Sequence, residues 1–329
     1  MTSTESLLKS LISIPSTEQN ETEVGEYIYN FLQEEGFVVK KYPVINTTRF
    51  NIVASLGNPK VYFQAHLDTV SPFIEYSEDT AFIYGRGACD TKGCIASMIR
   101  AAINSKNNRY TDFGLIFTTG EETNLDGARK LMQEDIDIPF VIVGEPTSLE
   151  IVNAHYGLVT FTLQAKGKAV HSSIPEQGIN AIDILVEMIG KVRNMEIHPE
   201  TSLTLVKIQG GIAENIVPAE AYAMFSMRTA PEDKIDYIAL VESMLLPHIT
   251  LETLHNFNSV YIEVPEELAF ISSRKTVKYF TELSLFQKGI VLGPGDIAHA
   301  HGPHEKIPKD ELTKAVDIYS QIIHNFCKK

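Results

Sequence analysis

Three short apolar segments in the first half of the chain each hand over to an acidic or imidazole side chain. Residues 60–65 run into His66-Leu67-Asp68, residues 113–119 into Gly120-Glu121-Glu122, and residues 139–143 into Gly144-Glu145. Runs of this length and apolarity read as strands buried on both faces. Helical patterns separate them, at about 94–102 and 125–133. Strands alternating with helices imply a largely parallel sheet covered on both sides. In such a sheet, ligands bind beyond the carboxyl ends of the strands. One repeated pattern therefore predicts both a fold and the edge on which its chemistry sits.

A fourth acidic position belongs to the same edge. Residues 81–84 read as a strand, and the turn Gly85-Arg86-Gly87-Ala88-Cys89-Asp90-Thr91-Lys92-Gly93 leads from it into a helix of small residues. Asp90 stands at that strand-to-helix junction, where an aspartate alone reads as a helix cap. Upstream, Ser3 or Thr4 caps a first helix stopped by Pro15, and a second spans 21–35 and ends at Gly36. Residues 37–39 and 51–55 look like short strands.

The pattern changes near His155. Residues 157–163 alternate as a half-exposed strand does; a helix (180–193), two strands (202–208, 221–228), a helix (232–246) and a strand (249–254) follow. That order is β-α-β-β-α-β, the split ferredoxin-like unit. The expected fold class is α/β: a mostly parallel-sheet domain made of 1–154 and 262–329, with a ferredoxin-like domain, 155–261, inserted. Beyond the insertion, 265–283 reads as helix, 289–292 as a strand entering a loop with His299, His301 and His304, and 313–326 as a closing helix.

Composition narrows the function. A chain of 329 residues suits two domains, and its net charge of −14 offers no basic stripe for nucleic acid. Cys89, Cys94 and Cys327 form no CxxC pair, which fits a reducing, cytoplasmic setting. Residues 1–16 lack the basic start and apolar core of a secretory signal, and no apolar run is long enough to span a bilayer, so no membrane partner is expected.

Five side chains carry the chemistry: His66, Asp90, Glu122, Glu145 and His301. Each has an ordinary reading alone: a helix-start acid, a turn, a solvated loop histidine. Together they occupy the ends of several strands of one sheet. Two imidazoles with three carboxylates suit zinc or a near relative better than magnesium or calcium, and the absence of thiolates points to a catalytic site. One bridging carboxylate would let two divalent metals share a water, lower its pKa and polarise a carbonyl. Glu121 is then the general base, and Asp68 orients His66 from behind.

The motifs Ala65-His66-Leu67-Asp68-Thr69-Val70, Gly85 to Gly93, Thr119-Gly120-Glu121-Glu122 and Gly144-Glu145-Pro146-Thr147 resemble the M20 family of dinuclear metallohydrolases over essentially the whole chain. The branch holding acetylornithine deacetylase and succinyl-diaminopimelate desuccinylase is the nearest resemblance. It implies that His66, Asp90 and Glu145 bind one metal, that Asp90, Glu122 and His301 bind the other, and that Glu121 is the base. The ions would be zinc, with cobalt as the alternative. The inserted domain looks like the family's lid or dimerisation domain, which implies a homodimer. His171 resembles the histidine that reaches a partner's site and stabilises the oxyanion. Asn215 and Arg228 match substrate-binding positions, as do Gly293 and Gly295 of the final loop, where Glu305 follows His304. The implied reaction is hydrolysis of an N-acyl amino acid, N2-acetyl-L-ornithine first, in arginine biosynthesis. Desuccinylation of diaminopimelate, deacylation of acetylcitrulline or acyl-lysine, an M20 dipeptidase or carboxypeptidase, release from a carrier protein and a non-enzymatic binding protein are the alternatives.

Overall fold

The computed structural model describes residues 3–17, 20–44, 48–286 and 288–328. The chain divides into two compact units: 1–153 with 262–275 and 281–329, and 154–261 with 276–280.

The first unit begins with α1 (Thr4–Ile12), whose start is capped by the Ser3 hydroxyl accepting from the Ser6 N–H at 3.1 Å. Leu7, Leu8, Leu11 and Ile12 put its apolar stripe into the core. At its other end the buried Lys92 side chain, its pKa lowered by burial to about 7, donates from Nζ to the carbonyls of Leu11 (3.0 Å) and Ile14 (2.8 Å), closing the helix C-terminus. Next come α2 (Thr22–Glu34), β1 (Val38–Pro43), β2 (Phe50–Leu56), β3 (Val61–His66), β4 (Ser77–Glu78) and β5 (Phe82–Tyr84). Gly36 stops α2 with a φ of +81°, a left-handed turn that glycine takes without strain. The sequence continues through α3 (Lys92–Asn107), β6 (Phe113–Thr118), α4 (Asp126–Leu131), β7 (Val141–Val143) and β8 (Ile151–His155).

The second unit carries β9 (Gly157–Lys166), α5 (Ala181–Arg193), β10 (Ser202–Gly210), β11 (Glu220–Thr229), α6 (Tyr237–Ser243), β12 (Ile249–Phe257) and β13 (Val260–Tyr261). The chain then forms β14 (Arg274–Val277), β15 (Gly289–Val291), β16 (Lys306–Pro308) and α7 (Lys309–Cys327).

The main sheet of the first unit runs β1-β2-β6-β3-β7-β15-β8. Its centre, β6-β3-β7-β15, is parallel; β1, β2 and β8 join antiparallel at the flanks. The predicted parallel strands thus form the middle of the sheet, where both faces are covered. Every residue of β3, β6, β7 and β15 is buried. Phe63 on β3 meets the Tyr319 ring of α7 edge-on at 5.3 Å between centroids, and truncating such a core ring costs about 3–5 kcal/mol. A small sheet, β16-β5-β4, brings the residues after the His301 loop against the strand before the Asp90 turn.

In the second unit the sheet order is β10-β11-β9-β12, antiparallel throughout, as the split ferredoxin pattern requires. Phe161 and Phe225 stack at 5.3 Å above Leu185, Met188 and Val192 of α5 and Val241 of α6.

Two helix expectations are corrected. Residues 265–283 do not form a helix: the stretch holds 3-10 turns at Glu266–Leu268 and Glu282–Leu285, with β14 between them. Pro265, two serines and the β-branched Thr276-Val277 leave too little helical propensity to outweigh strand pairing with β8. The helix expected at 232–246 is only Tyr237–Ser243, because the Asp233 carboxylate takes the Ile235 N–H (3.0 Å) and the Thr201 and Tyr237 hydroxyls, making a turn there.

Candidate metal centre

His66 is the last residue of β3 and is buried. Its Nδ1 lies 2.9 Å from the main-chain oxygen of Asp68, and its Nε2 lies 2.9 Å from Asp90 Oδ1 and 3.9 Å from Glu145 Oε1. The Asp68 carbonyl therefore fixes the tautomer, leaving Nε2 to face the carboxylates. The Asp68 carboxylate stands 3.6 Å from Nδ1 and instead accepts the main-chain N–H groups of Glu121 (3.1 Å) and Glu122 (2.9 Å).

The turn that follows β6 is held from the other side as well. Asn51 of β2 accepts the Thr119 N–H at 3.1 Å and donates to the Gly127 carbonyl at 2.8 Å. Buried Arg49 bridges Glu21 (2.7 Å) and Asp126 (2.8 Å), tying the start of α4 to the start of α2. At Gly120, φ is +76° and an added Cβ would lie 2.2 Å from Asp126 Oδ1, so the turn needs glycine there.

Asp90 precedes α3 and makes no cap bond to it; Thr91 occupies the cap position. The Asp90 carboxylate points into the site, with Oδ1 toward His66 and Oδ2 3.1 Å from His301 Nε2. His301 Nε2 also lies 2.9 Å from Glu122 Oε1. Donor atoms of His66, Asp90 and Glu122 all fall within 4.8 Å of one another. The five side chains picked out in the sequence thus meet, with Asp90 between the two imidazoles.

The electrostatics suit a cation. Burial pushes the Glu145 carboxyl well above the usual range, and the charges of Asp90, Glu121 and Glu122 add to it against His66. Glu121 is pushed up in the same way, by burial and then by Glu122, Glu282 and Asp90, with His66 opposing. Burial works against the charged form of Asp90 too, but the imidazoles of His301 and His66 more than offset it. Carboxylates crowded at low dielectric repel, and a divalent ion is the group that relieves such crowding. Imidazole nitrogen with carboxylate oxygen is the donor chemistry of zinc and its neighbours.

Gly293 and Gly295 are buried and their main-chain groups are already used. The Gly293 N–H donates to Thr147 Oγ1 (3.1 Å), its carbonyl accepts from Thr147 and Leu149, and the Gly295 N–H donates to Glu311 (2.7 Å). An added Cβ at Gly293 would lie 2.5 Å from the Glu145 carbonyl oxygen. These glycines allow the final loop to close on the Glu145 loop; neither N–H is left to meet a substrate.

In the second unit, His171 is exposed, its Nδ1 2.8 Å from the Ser173 hydroxyl. Asn215 is brought beside it: the Ser172 N–H donates to the Asn215 carbonyl at 3.0 Å, and His171 forms a β-bridge with Ile216. Arg228 lies on β11 opposite Ser202 and Leu158, where burial lowers its pKa. Sequence reasoning noted Glu305 without giving it a role and passed over Glu282 and the role of Lys92, since their partners lie far away along the chain.

Residues 62–325 match the profile of peptidase family M20/M25/M40. The chain belongs to this family. It is 31% identical over 373 residues to a probable carboxypeptidase of Aspergillus flavus, an alignment covering 96% of this chain and 88% of that protein. Among solved structures, the aminopeptidase PepT from Bacillus cereus superposes with a TM-score of 0.83 at 22% identity, covering 99% of this chain and all of that one (100%). A tripeptidase from Staphylococcus aureus superposes at 0.77 and 22% identity, covering 99% and 97%. At these identities the structural likeness is one of fold. The M20 family resemblance drawn from the motifs is shown; the chain is a peptidase-type M20 hydrolase, and none of its described helices is long and apolar enough to cross a membrane.

Proposed function

We propose that this M20 hydrolase uses two divalent ions to cleave the amide bond that joins an acyl or peptidyl group to an amino acid with a free carboxylate. The observation that carries the reading is the convergence of His66, Asp90, Glu122, Glu145 and His301, with Glu121 in the same turn as Glu122. His66, Asp90 and Glu145 would hold one ion, and Asp90, Glu122 and His301 the other, as zinc or cobalt. Bound there, the ions supply Lewis acidity, which makes a water nucleophilic near neutrality and polarises the acyl oxygen.

The chain's own groups do the rest. Glu121, its carboxyl pushed up by burial and like charge, takes the proton of the attacking water and passes it to the leaving amine. Asp68 holds the turn that presents it. By the family resemblance, His171, with Asn215 beside it, would reach a partner subunit's site and donate to the oxyanion there, and Arg228 would pair with the substrate carboxylate. In support, the half-buried Arg228 guanidinium makes no ion pair or side-chain hydrogen bond among the described residues. The inserted unit serves as the lid and dimer contact: β10 is an edge strand with Val206 and Ile208 exposed, next to exposed Val186 of α5. The three unpaired, buried cysteines accord with a reducing, cytoplasmic setting.

The resemblance of the motifs to acetylornithine deacetylase implies N2-acetyl-L-ornithine as the first acyl amino acid to test. The likeness to a probable carboxypeptidase favours short peptides as a second class. A panel of N-acetylornithine, N-acetylcitrulline, N-acetyllysine, N-succinyl-diaminopimelate and di- and tripeptides, assayed for amine release with metal content on the same sample, separates them. Zinc- or cobalt-restored turnover of one class is the expected result. Bound metal with no turnover anywhere would defeat the reading.

A further inference from the structure

We propose that Glu305 is a positioning residue: together with Arg86 it holds the Asp90 turn against the His301 loop and thereby sets the affinity for the second divalent ion. The inference rests on the metal reading above and concerns residues that the motif pattern left without a role.

Glu305 is buried, with 1% of its surface exposed, and so is Arg86. One carboxylate oxygen, Oε1, accepts the main-chain N–H groups of Cys89 and Asp90, each at 3.0 Å. The other, Oε2, takes Arg86 Nη1 at 2.6 Å, while Arg86 Nε donates to the Pro72 carbonyl at 3.1 Å. The Glu305 carbonyl accepts the Gly85 N–H at 3.1 Å. A single residue therefore grips the turn at Gly85, Arg86, Cys89 and Asp90, more than two hundred positions away in sequence.

Its own location gives that grip a purpose. Glu305 follows His301 closely, and Lys306 then pairs with Tyr84 as β16 joins β5. His301 itself stands on an exposed loop, half of its side chain open to solvent, with a φ of +60° that a non-glycine residue adopts at a cost. Among the described residues, its side-chain polar contacts go to Asp90 and Glu122. What keeps such a loop end at a fixed distance from Asp90 is its deep anchor, and Glu305 is that anchor. A buried ion pair is rarely the most stabilising filling for a core, so its presence here accords with a gain in specific geometry. Asp90 touches both imidazoles, but only the His301 side depends on the loop that Glu305 anchors. Loosening Glu305 should therefore weaken the Asp90-Glu122-His301 position more than the His66-Asp90-Glu145 position.

The test is zinc titration of the metal-stripped full-length protein against a chromophoric chelator, with thermal unfolding of the same apoprotein. Wild type should take up two equivalents. Glu305→Gln keeps an oxygen for the two N–H groups but removes the charge that holds Arg86. It should keep the first equivalent and lose at least about tenfold in affinity for the second, the scale seen for groups that support metal ligands. Should that variant fail to fold, the double variant Glu305→Gln with Arg86→Met, which buries no unpaired charge, takes its place in the same titration. Two equivalents at wild-type affinity, or equal weakening of both along with a lower apoprotein Tm, would overturn the inference. If wild type itself takes up no zinc or cobalt, the metal reading falls, and this inference with it.

Discussion

Asp68 accepts the main-chain N–H of Glu122 at 2.9 Å through Oδ2, joining the loops that follow two neighbouring parallel strands. Its other oxygen takes the Glu121 N–H, and its carbonyl faces His66 Nδ1. One aspartate thus holds the imidazole with its backbone and the Glu121-Glu122 turn with its side chain. At 3.6 Å from Nδ1, the carboxylate is too far to be the imidazole's main hydrogen-bond partner.

Asp68→Ala should accordingly act on Glu121 and Glu122 together. We expect kcat to fall about 10–100-fold, with metal affinity weakened on a similar scale. Steady-state kinetics and metal titration of the variant check this; unchanged kcat with weakened metal would leave Asp68 as a support for the ligand His66 alone.

Glu121→Ala removes the proposed base and leaves all five proposed ligands in place. Turnover should drop by at least about 10²-fold, while metal content stays at the wild-type level. Metal analysis of the purified variant decides the matter, because loss of metal would make Glu121 a ligand.

Arg228→Ala should raise KM for the carboxylate-bearing substrate by about 10–100-fold, the loss of a charge-assisted hydrogen bond, and Arg228→Lys should recover part of it. Substrates amidated at the carboxylate should lose their sensitivity to the substitution. An equal effect on free and amidated substrates would remove Arg228 from substrate binding.

Glu282 gives a pH prediction. Its carboxyl is buried beneath β3 and β6, accepting from Thr118 Oγ1 at 2.8 Å and from Gln64, and burial pushes its pKa up to about 7. Oε1 of Glu282 and Oε1 of Gln64 have no donor among the described residues. The folded state thus holds this proton more tightly than the unfolded chain, whose carboxyl has its ordinary value of 4.5. The stability tied to it is present below the unfolded value and is lost as pH rises toward 7. Glu282→Gln mimics the protonated form. Relative to wild type it should gain Tm steadily between about pH 5 and 8, by up to about 3 kcal/mol of stability. Parallel Tm–pH curves would show that the burial of Glu282 is not opposed by its charge.

Much of the site edge was legible because it is written in local patterns. Residues 60–65, 113–119 and 139–143 are apolar runs too short for helices and end in polar turns; β6 and β7 form within them, and β3 runs one residue further, to His66. The Ser3 cap and the Gly36 stop are likewise one-residue signals with local causes. β8 and β14 were not legible: neither run alternates or is continuously apolar, and each becomes a strand by pairing. Gly293 and Gly295 look like binding-loop glycines, yet the Thr147 and Glu311 groups that occupy their N–H groups come from other segments.

The sequence alone determined the α/β class, the split ferredoxin order of the insertion and the five side chains that face one edge. Side-chain period, turn chemistry and strand length are set by neighbours a few positions apart, so they can be read along the chain. The tertiary structure alone decided how those side chains are held. Asp68 grips the Glu121 turn, Glu305 grips the Asp90 turn and Lys92 caps α1 through contacts that span 53 to 220 positions. Such pairings depend on which loops the folded sheet sets side by side, and a carboxylate in a sequence carries no mark of which distant N–H it will meet.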